Sequence, residues 1–501
     1  MITGDFMNAL FSRFSVTAVL LAGVVTPQSD AASFPRRQIK PQPVAAEQAR
    51  QLIVHYKNDA RFARSAAALA GTAPQLESQL QLRSQQINRY ASAMGVRFQP
   101  LRQMSTGAWV FRADKAMRVQ DLQQISRQLQ SNDPQIAYAE PDRIRRISYV
   151  PTDPYFFSDQ WDLQDTQVQK GAMNLPKAWD LSFGKDVVVA VVDTGYRPHP
   201  DLLPNLVPAP GGQGYGYNFI SDPATARVTV ADGVTSARGP NGIDMGDWVD
   251  DFSCRASDSS WHGTHVAGTI AAAANGKGIV GVAPQAKVLP VRVLGKCGGQ
   301  TSDIIDGVAW AAGLPVEGVP TNTTPAKVIN LSLGGMDLCS KTEAAGFMAA
   351  KQKGAVVVVA AGNEGRNARL STPASCPGVI PVASNGIDGS RAFYSNYGGH
   401  VTVTAPGGGR SSDQDWILST LNAGRTSPGN EDYYGYYIGT SMAAPHVAGV
   451  AALMLAINPA LTPDQVRNIL IKTSRQAPAN CVGCGAGLVD AAAAVSAAKG
   501  N

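Results

Sequence analysis

Five short runs dominated by Val, Ile, Leu and Ala constrain this chain more than any other feature. They cover residues 187–192, 287–293, 328–332, 355–361 and 379–383. A strand with one wet face alternates apolar and polar residues. A strand that is apolar at nearly every position is buried on both faces, as in a parallel sheet covered on both sides. Segments of helical spacing lie between the runs, among them 302–312 and 343–353, and these supply the covering layers. The expected fold class is therefore α/β, with a doubly wound, mainly parallel sheet. Functional groups in such sheets collect just beyond the carboxyl ends of strands. Asp193 stands there after the first run and Asn363 after the fourth.

A chain of 501 residues exceeds one ordinary domain, and the pattern upstream of 151 differs. Strand-like 52–56, helical 76–94, strand-like 107–111, helical 119–129 and strand-like 136–142 follow one another. That order predicts a small α+β domain with helices on one face of its sheet. Residues 32–50, rich in Pro, Arg and Gln, read as a flexible leader. At the start, Arg13 precedes an apolar run over 14–25, and Ser29 and Ala31 provide small residues for cleavage. This predicts a removable export signal over 1–31, too short for a stable membrane anchor. Residues 443–457 are also apolar, but they contain Pro445 and His446 and end at Asn458-Pro459, which predicts a buried core helix.

Three phrases carry chemistry. They are Val-Val-Asp-Thr-Gly at 191–195, His-Gly-Thr-His-Val-Ala-Gly at 262–268, and Gly-Thr-Ser-Met-Ala-Ala-Pro-His at 439–446. A serine hydroxyl is a weak nucleophile until a base takes its proton. An imidazole can do so, provided a carboxylate holds the right tautomer. Ser441, His262 and Asp193 are the candidates, and Asp-His-Ser is one of three chain orders in which this constellation occurs. Ser441 stands at a helix start, where free N–H groups favour negative charge. An oxyanion needs donors; Asn363, in Ala-Ala-Gly-Asn-Glu-Gly at 360–365, and the backbone N–H of Ser441 could supply them.

Together these phrases resemble the subtilisin-like serine peptidases, over nearly all of 151–501. Residues 51–142, closing on Ala-Glu-Pro-Asp, resemble the inhibitor-type propeptide of that family more loosely. The resemblance implies an exported zymogen: signal 1–31, leader 32–50, propeptide 51–142, maturation linker 143–152 and peptidase domain 153–501. It implies an Asp193–His262–Ser441 triad with Asn363 as oxyanion donor. Substrate would lie extended between Ser332, Leu333 and Gly334 on one side and Gly298 and Gly299 on the other. It also implies a structural calcium ion held by Asp153, Asp201 and Asn275, with no cofactor for catalysis. The implied partners are protein or peptide substrates and the chain's own propeptide, for a secreted monomer that binds no nucleic acid.

Other readings compete at particular residues. A catalytically silent relative would bind rather than cut, but all four candidate catalytic residues are present. A serine esterase of another α/β fold would carry Gly-x-Ser-x-Gly; position 443 is Ala and the triad order differs. Asp244, Asp247, Asp250 and Asp251 could form a second calcium site or a solvated loop, the loop being slightly favoured. His265, His446 and His199 read as packing or turn residues, because His-Glu-x-x-His is absent. Six cysteines fit an oxidising compartment. They permit fifteen pairings, and sequence order favours Cys254–Cys297, Cys339–Cys376 and Cys481–Cys484; a Cys-x-x-Cys zinc half-site lacks partners. Charge is uneven: residues 33–150 carry 18 Lys and Arg against 8 Asp and Glu, whereas 151–501 carry 24 against 28. The two parts would attract each other, and no basic run is long enough for a nucleic-acid arm.

Overall fold

The computed structural model describes residues 48–57, 73–143, 149–231, 234–409, 413–477 and 481–499. The expected export signal, most of the leader and positions 144–148 of the linker lie outside these residues.

The small domain comprises β1 (Gln48–Tyr56), α1 (Ala73–Ala91), β2 (Phe98–Gln103), β3 (Trp109–Arg118), α2 (Val119–Asn132) and β4 (Ile136–Pro141). Its antiparallel sheet has the order β2-β3-β1-β4. Leu52, Val54 and Tyr56, every second residue of β1, share a core with Leu122, Ile125 and Leu129 of α2 and Ile87 and Ala91 of α1, so the helices cover one face. The strand β2 departs from the sequence expectation. Only Phe98 of its six residues is buried, and Pro100 interrupts it. An edge strand tolerates both features, and neither leaves an alternating pattern to read.

The large domain begins with β5 (Val188–Asp193), followed by β6 (Tyr217–Asn218), β7 (Gly239–Pro240), α3 (His262–Ala271), β8 (Lys287–Arg292), α4 (Thr301–Ala311), β9 (Val328–Leu331), α5 (Lys341–Gln352) and β10 (Val356–Ala360). It continues with β11 (Val379–Asn385), β12 (Val403–Pro406), the hairpin β13 (Ile417–Asn422) and β14 (Asp432–Tyr437), then α6 (Thr440–Ile457), α7 (Pro463–Thr473) and α8 (Ala491–Lys499). Eight strands form one sheet in the order β12-β11-β10-β9-β5-β8-β6-β7. Its pairs are parallel except β6 with β7. The five apolar runs are its centre. Val189, Val191, Val288 and Val356 bury one face against Val266 of α3, Val447 and Leu453 of α6, Val466 of α7 and Val495 of α8. Ala190, Val192, Leu289 and Val357 bury the other against Val308 and Trp310 of α4 and Phe347 of α5. That division into two cores, with successive residues facing opposite sides, is what a doubly wound sheet requires. The apolar helix α6 is 83% buried inside this structure, as a core helix should be.

Strand order fixes what meets at the carboxyl edge. Asn363 follows β10, residues 332–334 follow β9, Asp193 ends β5, and Gly298 and Gly299 follow β8; these four strands are consecutive neighbours. The segment between β5 and α3, residues 208–231 and 234–255, adds β6 and β7 beyond β8. Arg238 ties it to α4 through Asp303 at 2.6 Å and Asp306 at 2.8 Å. A disulfide, Cys254–Cys297, ties it to the loop carrying Gly298. Cys339–Cys376 and Cys481–Cys484 are the other bridges, and among the described residues no cysteine is free.

Candidate active site

Asp193 is fully buried and accepts a hydrogen bond from the N–H of Thr194 at 2.8 Å. The Thr194 hydroxyl donates to Asp244 at 2.7 Å and accepts from the N–H of Gly263 at 3.0 Å, which ties the end of β5 to the first turn of α3. A Cβ at Gly263 would lie 2.2 Å from the carbonyl of Gly195, so only glycine lets helix and strand approach this closely. His262 is the first residue of α3. Its Nδ1 lies 2.8 and 3.0 Å from the two carboxylate oxygens of Asp193. A carboxylate only accepts, so the proton sits on Nδ1 and Nε2 keeps a free lone pair. Burial opposes charge on this imidazole. The charge and hydrogen bond of Asp193 outweigh it, with help from Asp247 and Asp244, and the His262 pKa stands above its ordinary value.

Ser441 is the second residue of α6, and Pro445 lies one turn further on. Proline has no N–H, so the carbonyl four residues back, that of Ser441, loses its helical donor. The Ser332 hydroxyl takes that place at 2.7 Å and itself accepts from Asn330 Nδ2 at 3.0 Å. In return, the Ser441 hydroxyl donates to the Ser332 carbonyl at 3.1 Å. Ser441 and Ser332 thus clasp each other, and the Ser441 hydroxyl rests on Ser332 rather than on His262.

The amide oxygen of Asn363 accepts from the N–H and the hydroxyl of Thr440 at 2.8 and 2.9 Å. This orients the amide and leaves Nδ2 available to donate. A Cβ built on Gly439 would stand 3.6 Å from both Asn363 Nδ2 and the Ser441 nitrogen, so two N–H donors flank one small space. Of the expected cleft edges, Gly334 and Gly299 are exposed. A Cβ at Gly299 would meet the Val293 carbonyl at 2.1 Å.

Asp153, Asp201 and Asn275 come together. Asp153 Oδ1 accepts from the N–H groups of Asn275 and Gly276, both at 3.0 Å, while its buried Oδ2 has no hydrogen-bond partner. Asp201 accepts from Asn275 Nδ2 at 2.9 Å and from the Tyr434 hydroxyl at 2.8 Å. Burial, with the nearby charge of Asp201, pushes the Asp153 carboxyl up. Two buried carboxylates, one with an unpartnered oxygen, offer the oxygen chemistry that a hard cation takes.

Two sequence expectations need correction. The acidic cluster is not simply a solvated loop: Asp244 is fully buried, with its pKa pushed up to about 6 by that burial, and Asp247 accepts from the N–H and hydroxyl of Ser260 at 2.6 and 2.7 Å. Asp251 does sit at the surface, paired with Lys296. His446 is more than a packing residue, because its Nε2 lies 2.8 Å from Asp162 Oδ2 and its Nδ1 2.7 Å from the Met442 carbonyl. His199 does open a turn, its carbonyl accepting from the N–H groups of Leu202 and Leu203 at 2.9 Å, and its ring is buried edge-on against Tyr434. His265 does pack, stacked on Tyr437.

The need of the Ser441 carbonyl for a donor was legible, since a proline inside a helix announces an orphaned carbonyl four residues earlier; that Ser332 would supply it was not. Asp162 carried no signal; it lies far from His446 in the chain.

The subtilase family model matches residues 184–487. The chain is similar to an extracellular protease of Xanthomonas campestris pv. campestris, 45% identical over 405 residues, which cover 79% of this chain and 65% of that protein. It is 40% identical over 422 residues to an extracellular basic protease of Dichelobacter nodosus, covering 81% and 66%. Over 309 residues it is 36% identical to thermitase of Thermoactinomyces vulgaris, covering 61% and 85%. The chain thus spans about two thirds of the length of the first two relatives. A solved structure of a Pseudoalteromonas arctica protease is 50% identical, with a TM-score of 0.65, covering 70% of this chain and 100% of that one.

Proposed function

Because the chain belongs to the subtilase family, we propose that it is a secreted serine endopeptidase, made as a self-processing zymogen. The observation that carries this reading is the pairing of His262 Nδ1 with buried Asp193 at 2.8 Å, with Ser441 in the first turn of α6 and the oriented amide of Asn363.

The chemistry follows from that arrangement. Rotation about its Cα–Cβ bond takes the Ser441 hydroxyl off the Ser332 carbonyl and toward His262 Nε2. His262 removes the hydroxyl proton as oxygen attacks the scissile carbonyl, and Asp193 stabilises the imidazolium so formed. The oxyanion is met by Asn363 Nδ2 and the Ser441 N–H, both in place before charge develops. His262 then gives its proton to the leaving amine, and water repeats the sequence to release the acyl group. Substrate lies extended between residues 332–334 and Gly298–Gly299.

Asp153, Asp201 and Asn275 would hold calcium; the ion would supply positive charge between two carboxylates and cross-link the start of the domain to the 275–279 loop. Residues 51–142 act as propeptide and inhibitor, removed by cleavage within 143–152. The extracellular names of the two relatives support secretion, as does the presence of three disulfides.

The test is Ser441→Ala. It lowers casein hydrolysis by about four or more orders of magnitude, abolishes labelling by a serine-directed phosphonate and leaves the precursor uncut. Near-normal turnover in this variant would refute the reading.

A further inference from the structure

We infer that Asp162 and His446 form a second histidine–carboxylate pair, whose task is to position Ser441; the inference rests on the peptidase reading above. Both residues are buried, and neither takes part in the chemistry just described. The Met442 carbonyl, 2.7 Å from His446 Nδ1, can only accept, so Nδ1 carries a proton. The 2.8 Å line from Nε2 to Asp162 Oδ2 holds one further proton, whichever atom it sits on. The pair is therefore neutral as a whole and leaves both imidazole nitrogens engaged.

Met442 immediately follows Ser441. Pro445 takes the helical donor from the Ser441 carbonyl alone, and the Ser332 hydroxyl replaces it; the next carbonyl, that of Met442, is met by the His446 ring in addition to its place in the helix. His446 is in turn fixed by Asp162, which comes from the short turn Trp161–Leu163. That turn is anchored on both sides. Gln160 exchanges two hydrogen bonds with Val280, at 2.8 and 3.0 Å, and Trp161 Nε1 donates to the Trp416 carbonyl at 3.1 Å. The titratable neighbour from α3, His265, is kept neutral by burial, its pKa pulled down to about 3, so it does not compete for Asp162.

Stability alone is a poor reason for such a pair. Asp162 Oδ1 is buried without a partner, and apolar side chains of the same volume commonly replace buried ion pairs at no cost. What they cannot do is tie the Met442 carbonyl, through a side chain, to the turn that carries Asp162.

The experiment measures kcat and KM on a chromogenic peptide, per active site titrated with a serine-directed phosphonate, in three variants. Asp162→Ala frees the imidazole, and kcat falls roughly 10- to 100-fold with KM within about twofold, as for a misplaced reacting group. Asp162→Asn can donate its amide N–H to Nε2 while Nδ1 keeps Met442, so it restores most of the turnover lost in Asp162→Ala. If Asp162→Ala does not fold, His446→Gln, which cannot bridge both partners, takes its place with the same expected loss. Wild-type kcat per titrated site in these variants, with only thermal stability reduced, would overturn the inference, as would an Asp162→Asn enzyme as slow as Asp162→Ala. A wild-type protein that neither cuts peptides nor reacts with the phosphonate would instead sink the peptidase reading itself.

Discussion

Ser332→Ala tests the link between Pro445 and the clasp around Ser441. The substitution removes the hydroxyl that stands 2.7 Å from the Ser441 carbonyl, and nothing in the helix can replace it. It also leaves Asn330 Nδ2, in a fully buried side chain, without its 3.0 Å acceptor. An unsatisfied buried polar group costs about 1–3 kcal/mol. If the bond is broken at the unfolding barrier, unfolding speeds up roughly 5- to 150-fold. The assay follows unfolding in guanidinium by tryptophan fluorescence, in the full chain carrying Ser441→Ala so that the protein cannot digest itself. The decisive step is a double-mutant cycle with Pro445→Ala, which returns an N–H to position 445. In that background Ser332→Ala should cost less, with a coupling of about 1 kcal/mol or more between the two sites. Unfolding rates within twofold of the parent, or an equal cost in both backgrounds, would show that the carbonyl never needed the serine.

Asn363→Ala should lower kcat by roughly 10²–10³ with little change in KM, because the amide acts on charge that develops late; a pure KM effect would contradict its role. Asp247→Asn should move the acidic limb of kcat/KM to lower pH. The His262 pKa is raised in part by Asp247, activity is lost as pH falls through that pKa, and removing the charge lowers it; an unmoved limb counts against the assignment. A calcium chelator should lower the thermal stability of the enzyme, by about 2.7 kcal/mol if the ion was present at a hundred times its dissociation constant. Asp153→Asn should shrink that difference, and a chelator effect of undiminished size would place the ion elsewhere.

The central sheet was legible because strands buried on both faces have little choice of composition: the runs at 187–192 and 355–361 admit few other readings. The strand β2 was not, because an edge strand with one buried residue and a proline leaves no period to detect. Asp193, His262 and Ser441 were legible through the phrases around them, since helix starts and strand ends need small residues at fixed offsets. Their supports were hidden for the opposite reason. Thr194 and Asp244, Ser332 and Asn330, and His446 and Asp162 act through single hydrogen bonds made by whichever residue the fold delivers, and a lone Asp or Ser looks the same in a sequence whether it is buried or wet. Burial of Asp244 is the clearest case: four aspartates within eight positions read as a surface loop, yet the first of them closes a network behind Asp193.

The segment over 208–255 does more than decorate the rim. Without it, β8 would be the last strand of a parallel sheet, with its outer N–H and C=O groups open toward its carboxyl end. Tyr217 and Asn218 pair there with Val291 and Arg292, while the other end keeps the bridge from Leu206 to Val288. An open strand edge is a template for pairing with another chain. Shortening this segment to the length of a simple turn, an obvious step for anyone remodelling the neighbouring loop, would uncover such an edge, and the shortened enzyme would be lost as insoluble aggregate before its specificity could be measured.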